Sequence, residues 1–409
     1  MDALFIVDKW CHGVQANGIS AWESNLVNSY RTVYQEKRVQ EFNFDVHRSF
    51  DDRKTSINKT LLRLIEQCMP RFVFLVIYEK PSQSDKIISL NALKRIRELG
   101  IPIITIFGDL EHQLQCEILR LVKPFCDLIY FTALTSPGER LKLSKLRYTW
   151  VPKDPAIFYS DELSKNRDIG VLYLGTPKPD RVSRIKYLSN NGIKVFSTGG
   201  ERAVNLPVTE YASLLRRSQI SLSFSRADGN HVTNARAFEV ISCGAMLLEE
   251  EGMETAKLFR PYLDYIPFFG RRDLLDKCKY YLKNDLERQT IAVSAANRML
   301  TYFSAKRFWD EIEDFINNID RNRCIELQKN ADIACIDRYW SLGLSQRSIP
   351  AFNMKYYKDF PIRIRFKYKV LDLVGKNIFL NWFHKKWFNM CQLPRRVVFK
   401  MYLMFYKKK

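Results

Sequence analysis

The sequence predicts an α/β protein of two tandem Rossmann-like domains that face a cleft, followed by a basic, aromatic, helical C-terminal extension. Three observations predict it. Short apolar runs alternate with helical patterns, the alternation restarts after a polar, proline-containing stretch, and the composition changes after residue 320. A chain of 409 residues also exceeds the size of one ordinary core. We therefore predict domains at 1–155 and 165–320 and an extension at 321–409.

The first predicted domain opens with a continuous apolar run over 3–8, ALFIVD, which is typical of a buried parallel strand. A loop over 9–18 follows, and Ser20 and Glu23 have the spacing of a capping box at the start of the next helix. Further strands are predicted at 72–78, 103–107 and 128–131, with helices between them. Because ligands bind beyond the carboxyl ends of parallel strands, the loops that follow the strands form the rim of any site.

Three side chains of these loops are candidates for acid–base catalysis. His12 lies in the first strand–helix loop, Asp109 follows the strand at 103–107, and His112 comes just after it. A general base for an acceptor hydroxyl needs one such group, so at most one of the three need be catalytic. Asp109 has the alternative role of capping the helix that follows it.

The second predicted domain restarts the alternation with a strand over 168–174, which ends at Gly175. Additional strands are predicted at 195–197, 220–225 and 245–248. Amphipathic helices are predicted at 177–190, 209–218, 254–260, 271–283, 287–300 and 304–318. The polar segment 153–166 between the two domains is predicted to be a linker.

Residues 230–250, NHVTNARAFEVISCGAMLLEE, organise the second domain. The pattern predicts a loop, a helix over 234–243, a tight turn at Gly244 and a buried strand. Arg236 and Glu239 are three residues apart and share one helix face. The amino end of a helix offers unpaired N–H groups and a positive dipole end, which suit a phosphate. A carboxylate one turn later is placed to accept hydrogen bonds from a sugar hydroxyl, so the stretch predicts a site for a nucleotide diphosphate carrying a sugar.

The predicted ligand is a co-substrate, and no other cofactor and no metal is expected, since no Asp-x-Asp motif is present. Its candidate binding residues are Gly175, Arg226, His231, Thr233, Arg236, Glu239 and Gly244. Alternatives remain open at four of them. Glu239 either binds the ligand or is a surface helix residue paired with Arg236. Arg236 either binds a diphosphate bidentately or only holds Glu239, while Arg226 and His231 also fit exposed loop residues.

The segments RAFEVISCGAMLL and FFGRRDLLDKCKYYLKND resemble the CgeB-like, or spore-protein-like, glycosyltransferases. These enzymes have the GT-B fold and are related to glycosyltransferase group 1, and the resemblance covers about residues 168–315. It implies that Glu239 holds the ribose of a nucleotide-sugar donor. It also implies that Gly175 lies at the opening of the donor domain. His231 stands where group 1 enzymes have a second Glu, which contacts the sugar.

The expected function is therefore transfer of a hexose or related sugar to an acceptor that the sequence does not identify. A glycan or lipid-linked acceptor of the cell envelope is the hypothesis that the extension suggests. Two alternatives from other classes stay open. One is a non-catalytic sugar-nucleotide-binding or scaffold protein of the same fold, and the other is a nucleic-acid-binding protein that acts through its basic extension.

The net charge of +20 is concentrated in the extension, where residues 321–409 hold 20 Lys and Arg against 5 Asp and Glu. Residues 351–409 interleave 15 aromatic residues with 15 basic ones. This composition is typical of a segment that binds a membrane surface, that binds single-stranded nucleic acid, or that forms helices packed on the two domains. The large apolar faces favour binding to a membrane surface. Nine cysteines without a CxxC pair and the lack of a signal-peptide pattern predict a cytoplasmic protein, peripheral on the cytoplasmic face of the membrane.

Overall fold

A computed structural model gives the fold of the chain. It describes residues 1–49, 56–79, 81, 87–108, 113–132, 146–160, 167–176, 178–198, 206–224, 226–227, 230–231, 233, 235–250 and 253–319. The predicted extension at 321–409, with its proposed membrane-surface role, lies outside the described residues.

The first sheet has six parallel strands in the order β2-β1-β3-β4-β5-β6. The strands are β1 (Ala3–Ile6), β2 (Val39–Phe42), β3 (Phe72–Leu75), β4 (Ile103–Phe107), β5 (Leu128–Phe131) and β6 (Leu146–Tyr148). Strands β1, β3, β4 and β5 were predicted and are fully buried. The chain proceeds outward to β2 on one side of β1 and to β3 on the other, so the strand order reverses between β1 and β3.

The helices of this part are α1 (Ser29–Val33), α2 (Phe44–Ser49), α3 (Ile57–Cys68), α4 (Leu90–Glu98) and α5 (Gln113–Val122). A π-helical segment, Glu23–Asn28, precedes α1. The Ser20 hydroxyl accepts the N–H of Glu23 at 3.0 Å, which confirms the predicted cap. The N–H of Ser20 donates to the carbonyl of Lys9 instead of to Glu23, so only half of the capping box forms.

The second sheet has five parallel strands in the order β13-β12-β9-β7-β8. The strands are β7 (Ile169–Tyr173), β8 (Val195–Ser197), β9 (Ser218–Ser223), β12 (Met246–Glu250) and β13 (Ile266–Phe268). A separate two-stranded hairpin is formed by β10 (Arg226–Ala227) and β11 (Asn230–His231). The strand order of the large sheet reverses between β7 and β9, which places a crevice at the carboxyl ends of those two strands.

Seven helices of this part are described: α6 (Pro179–Asn190), α7 (Val208–Arg217), α8 (Ala235–Ser242), α9 (Met253–Leu258), α10 (Gly270–Lys283), α11 (Asp285–Tyr302) and α12 (Ala305–Asn318). The central helix α8 agrees with its predicted bounds to within one residue at each end. Its buried residues include Ala237, Phe238, Val240 and Ile241, which pack the helix against the sheet. Two Rossmann-like sheets in tandem confirm the predicted fold class.

Helix α12 follows the second sheet in the chain but packs on the first. The indole nitrogen of Trp309 donates to the Ser29 hydroxyl at 2.9 Å, and the ring lies edge-on to Tyr30 and Phe74. The hydroxyl of Tyr30 donates to the Glu313 carboxylate. The predicted domain boundaries at 155, 165 and 320 remain a prediction, and this contact shows that the chain returns to the first sheet.

Among the helices that the structure describes, none combines the length and the apolar character needed to span a bilayer.

Candidate functional site

The candidate site lies at the carboxyl edge of the second sheet, between β7 and β9. Tyr173 is the last residue of β7, and its hydroxyl donates to the carbonyl of Thr176 at 3.0 Å. Arg181, in the first turns of α6, donates to that same carbonyl at 3.4 Å and to the carbonyl of Phe224, after β9, at 3.2 Å. One guanidinium therefore ties together the ends of the two strands that flank the crevice.

Arg236, the second residue of α8, reaches into this edge. Its Cζ lies 5.7 Å from the centre of the Tyr173 ring. Its Nε and Nη1 atoms are buried and have no hydrogen-bond partner among the residues that the structure describes. Burial lowers the pKa of Arg236, but the adjoining Tyr211, Tyr173 and Glu239 outweigh that effect and raise it. Arg236 is therefore a charged guanidinium with two unsatisfied N–H directions at the predicted phosphate position.

Glu239 lies one turn further along α8 and is held by two donors from other parts of the chain. The Nζ of Lys153 lies 2.8 Å from Oε1, and the hydroxyl of Tyr211 donates to Oε2 at 2.7 Å. Burial raises the pKa of the Glu239 carboxyl, yet Lys153, Tyr211 and Arg236 together bring it below its ordinary value. Burial and the Glu239 charge raise the pKa of Tyr211 well above its usual range, so its hydroxyl stays a donor.

The charges of this group do not balance among the described side chains. Lys153 and Arg236 are cationic, Glu239 is anionic, and the Lys153 side chain is only 2 % exposed. The ion-pair partner of Glu239 is Lys153, and the Arg236 charge also lowers the pKa of Glu239, so the choice between the two predicted roles of Arg236 stays a prediction. A buried, uncompensated positive charge is costly, and an anionic ligand is the group that would compensate it.

The remaining predicted binding residues are distributed around this point. Thr233 is buried, and its hydroxyl lies 3.1 Å from that of Thr255, which in turn donates to Glu249. Arg226 and His231 are paired across the β10–β11 hairpin. Only their backbones fall within the described part of the structure, so a ligand role for these two side chains stays a prediction.

The two predicted glycines have different surroundings. At Gly175 an added Cβ would stand 2.5 Å from Nη2 of Arg236, so a side chain there would displace the guanidinium. Gly244 has a φ of +69°, and an added Cβ would stand 2.8 Å from Nη2 of Arg167 and close to Ser160. Glycine at 175 therefore makes room for Arg236, whereas glycine at 244 permits the left-handed turn that ends α8.

In the first sheet, His12 lies after β1 in a short turn, Cys11–Gly13, with φ +55°, and it is exposed. The loop is anchored by Asp45, whose carboxylate accepts the N–H groups of Lys9 and Trp10 at 3.1 and 2.8 Å. Asp109 and His112 lie outside the described residues. The structure adds Asp8, directly after β1, where burial and the Asp45 charge raise the pKa to about 6.

Sequence reasoning missed Lys153, Tyr173, Tyr211 and Arg181. Lys153 lies in the segment that the sequence identifies only as a polar linker, and it pairs with a residue 86 positions away. Only Arg181 had a usable signal, since it falls in the first turn of a helix that begins just after a Gly-containing strand end.

No group of three or more His, Cys, Asp or Glu side chains capable of holding a metal ion occurs within the described part of the chain.

Residues 182–314 match the family model described as glycosyl transferase-like. Among solved structures, HepE of Anabaena in complex with UDP-glucose has a TM-score of 0.55 and 10% sequence identity. An alpha-glucosyltransferase in complex with UDP and a mismatched 13-mer DNA has a TM-score of 0.51 and 10% identity. Sucrose-phosphate synthase of Thermosynechococcus elongatus has a TM-score of 0.50 and 11% identity. Each alignment covers 78% of this chain and 100% of the other.

The fold is that of the GT-B glycosyltransferases. Comparison with curated protein sequences finds no significant match. The matched family segment begins in α6 and ends in α12, so it includes α8 with Arg236 and Glu239. Tyr211, Arg236 and Glu239 therefore lie within the matched segment, whereas Lys153, Tyr173 and Arg181 precede it.

Proposed function

We propose that this protein is a glycosyltransferase that takes a hexose or related sugar from a nucleotide-sugar donor. The observation that carries the proposal is Arg236, whose guanidinium has two buried nitrogen atoms without a partner among the described residues, at the strand-order reversal of the second sheet. Ligands of open parallel sheets bind at such reversals. A diphosphate supplies several anionic oxygens that arginine binds in a fixed geometry.

The donor would lie across the amino-terminal half of α8. Its diphosphate would accept hydrogen bonds from Nε and Nη1 of Arg236, and its ribose hydroxyls would donate to Glu239. Each Glu239 oxygen already accepts one hydrogen bond, from Lys153 or Tyr211, and keeps capacity for another. The predicted contacts of Arg226, His231 and Thr233 would complete the site around the sugar.

Chemistry would follow from this placement. As the bond from the sugar to the diphosphate breaks, negative charge grows on the leaving oxygen, and the Arg236 guanidinium would stabilise it. The acceptor hydroxyl would lose its proton to a base of the first sheet. The candidates are His12 and Asp8, which follow β1, and the sequence-predicted Asp109 and His112.

The solved structures with similar folds suggest which donor to test first. HepE is in complex with UDP-glucose, and the alpha-glucosyltransferase is in complex with UDP. We therefore propose a uridine nucleotide as the first candidate. A CgeB-like identity, a glycan or lipid-linked acceptor, a cytoplasmic location and attachment of residues 351–409 to a membrane surface are further proposals that rest on the sequence.

The test is a panel of nucleotide sugars, UDP-glucose first, measured by thermal shift and by release of the nucleoside diphosphate. The wild-type protein should be stabilised by at least one donor and should release its nucleotide. Arg236→Met should lose both responses, while Arg217→Met, which changes an exposed arginine paired with Asp168, should keep them. Binding without any release of nucleotide would overturn catalysis, and no binding at all would overturn the proposal.

A further inference from the structure

The connector, residues 149–160, follows β6 of the first sheet and leads toward β7 of the second. Lys153 lies in this segment and is 3 % exposed. Burying a lysine is costly unless its ammonium is paired and hydrogen-bonded, so a lysine kept at such a position has a specific partner.

That partner is the Glu239 carboxylate on α8, at 2.8 Å. The Nζ atom of Lys153 also lies 5.8 Å from the centre of the Phe158 ring of the same connector. The backbone around Lys153 is itself fixed, since the carboxylate of Asp154 accepts the N–H of Ala156 at 3.0 Å. Lys153 is therefore presented to Glu239 from a rigid turn.

The Glu239 carboxylate receives its two hydrogen bonds from two different elements. Lys153 donates from the connector to Oε1, and Tyr211 donates from α7 to Oε2. A carboxylate held by only one donor can rotate about its terminal torsion, whereas two donors from different directions define its plane. The lone pairs that remain then have fixed directions.

We propose that Lys153 is a positioning residue for ribose recognition: it orients the Glu239 carboxylate toward the two ribose hydroxyls of the donor. This inference rests on the proposed function, in which Glu239 holds the ribose. It gives the connector a role in the selectivity of the site for ribonucleotides. Lys153 itself touches only protein, so its effect on the ligand passes through Glu239.

A purely structural ion pair makes a different prediction. Removing it would weaken binding of every nucleotide alike, through general loosening of the fold. A positioning role changes only the preference for a ligand that carries ribose hydroxyls. The affinities of one variant for a nucleotide with ribose hydroxyls and for one without them therefore separate the positioning role from the structural role. A general loss of affinity lowers both values equally and cancels in their ratio.

The experiment measures dissociation constants of UDP and 2′,3′-dideoxy-UDP by calorimetry, with GDP, ADP and CDP tested on the wild type as well. The wild type should prefer UDP by about tenfold or more, since the dideoxy analogue lacks the hydroxyls that donate to the charged carboxylate. Lys153→Met should reduce this preference to about twofold, as should Glu239→Gln. In the double variant Lys153→Met/Glu239→Gln neither member of the ion pair is charged, so this protein should match Glu239→Gln. Lys94→Met, at an exposed lysine, should keep the wild-type ratio.

Two results would overturn the role of Lys153 alone: a Lys153→Met protein that keeps the full preference for UDP, or a wild type that binds UDP and its dideoxy analogue equally. Nucleotide binding would stand in both cases. A wild type that binds none of the four nucleoside diphosphates would overturn the proposed function, and the role of Lys153 with it.

Discussion

The guanidinium of Arg236 occupies the space that a side chain at position 175 would need. A Cβ atom on Gly175 would stand 2.5 Å from Nη2 and 3.0 Å from Cζ of Arg236. Contacts between non-bonded atoms at such distances do not persist, so one of the two groups must move. Gly175 and Arg236, 61 positions apart in the chain, thus act as one unit at the carboxyl end of β7.

Gly175→Ala should therefore shift Arg236 and weaken UDP binding by about tenfold to a hundredfold, since a displacement of about 1 Å is costly in a preorganised site. The free energy of unfolding should fall by only about 1–3 kcal/mol. Calorimetry and urea denaturation measure the two effects. The matched control is Gly192→Ala, because Gly192 has φ +84° and no atom within 4 Å of its added Cβ. A control that lost binding equally would refute this explanation.

Arg236→Met should leave the ligand-free protein as stable as the wild type, or more stable by about 1–2 kcal/mol, because it removes a buried charge that lacks compensation. Arg97→Met is the comparison, since Arg97 is buried against the Asp127 carboxylate. It should cost about 3–5 kcal/mol, because it removes the guanidinium that faces the buried Asp127 carboxylate. Urea denaturation without ligand measures both. Equal losses in the two variants would mean that Arg236 has a structural partner.

Gly244→Ala should lower the free energy of unfolding by about 2–4 kcal/mol, because it combines a left-handed backbone with crowding of Ser160 and Arg167. The protein that remains folded should bind UDP with wild-type affinity, as measured by calorimetry at low temperature. Loss of affinity at unchanged stability would instead place Gly244 in contact with the ligand, as the sequence-based prediction has it.

Asp8→Asn should change how stability depends on pH. Burial raises the pKa of Asp8 to about 6, so the folded protein holds a proton that the unfolded chain releases near pH 4. The wild type should therefore lose stability as pH rises from about 4 to 6, and Asp8→Asn should be about 1 kcal/mol more stable at pH 7 but equal near pH 4. Urea denaturation of both proteins between about pH 4 and 7 measures this difference in the free energy of unfolding. A difference that does not vary with pH would contradict the assignment.

The buried strands were predictable because a short, wholly apolar run between amphipathic helices is typical of a buried parallel strand. The edge strands of the first sheet were not predictable. In β2, VQEF, two of four residues are polar and three are only partly buried, and β6 has three residues. Such strands exist because a neighbour pairs with them, which is a tertiary effect that no local pattern contains.

The candidate site was predictable where its residues share one helix. The spacing of Arg236 and Glu239 placed both on α8 at the carboxyl edge of the sheet. Their partners were not predictable, since Lys153 and Tyr211 come from segments 86 and 28 positions earlier in the chain.

The position of α12 has a consequence for any attempt to study the two sheets separately. The polypeptide leaves the first sheet once, through the connector, and comes back to it with Trp309 and Glu313. A fragment cut near residue 160 would lack one wall of its own interior: the indole that covers Phe5 and Phe74, and the carboxylate that Tyr30, Lys37 and Arg71 share. The two sheets must therefore be made as one piece, and a gene split between them would need helix α12 supplied in trans.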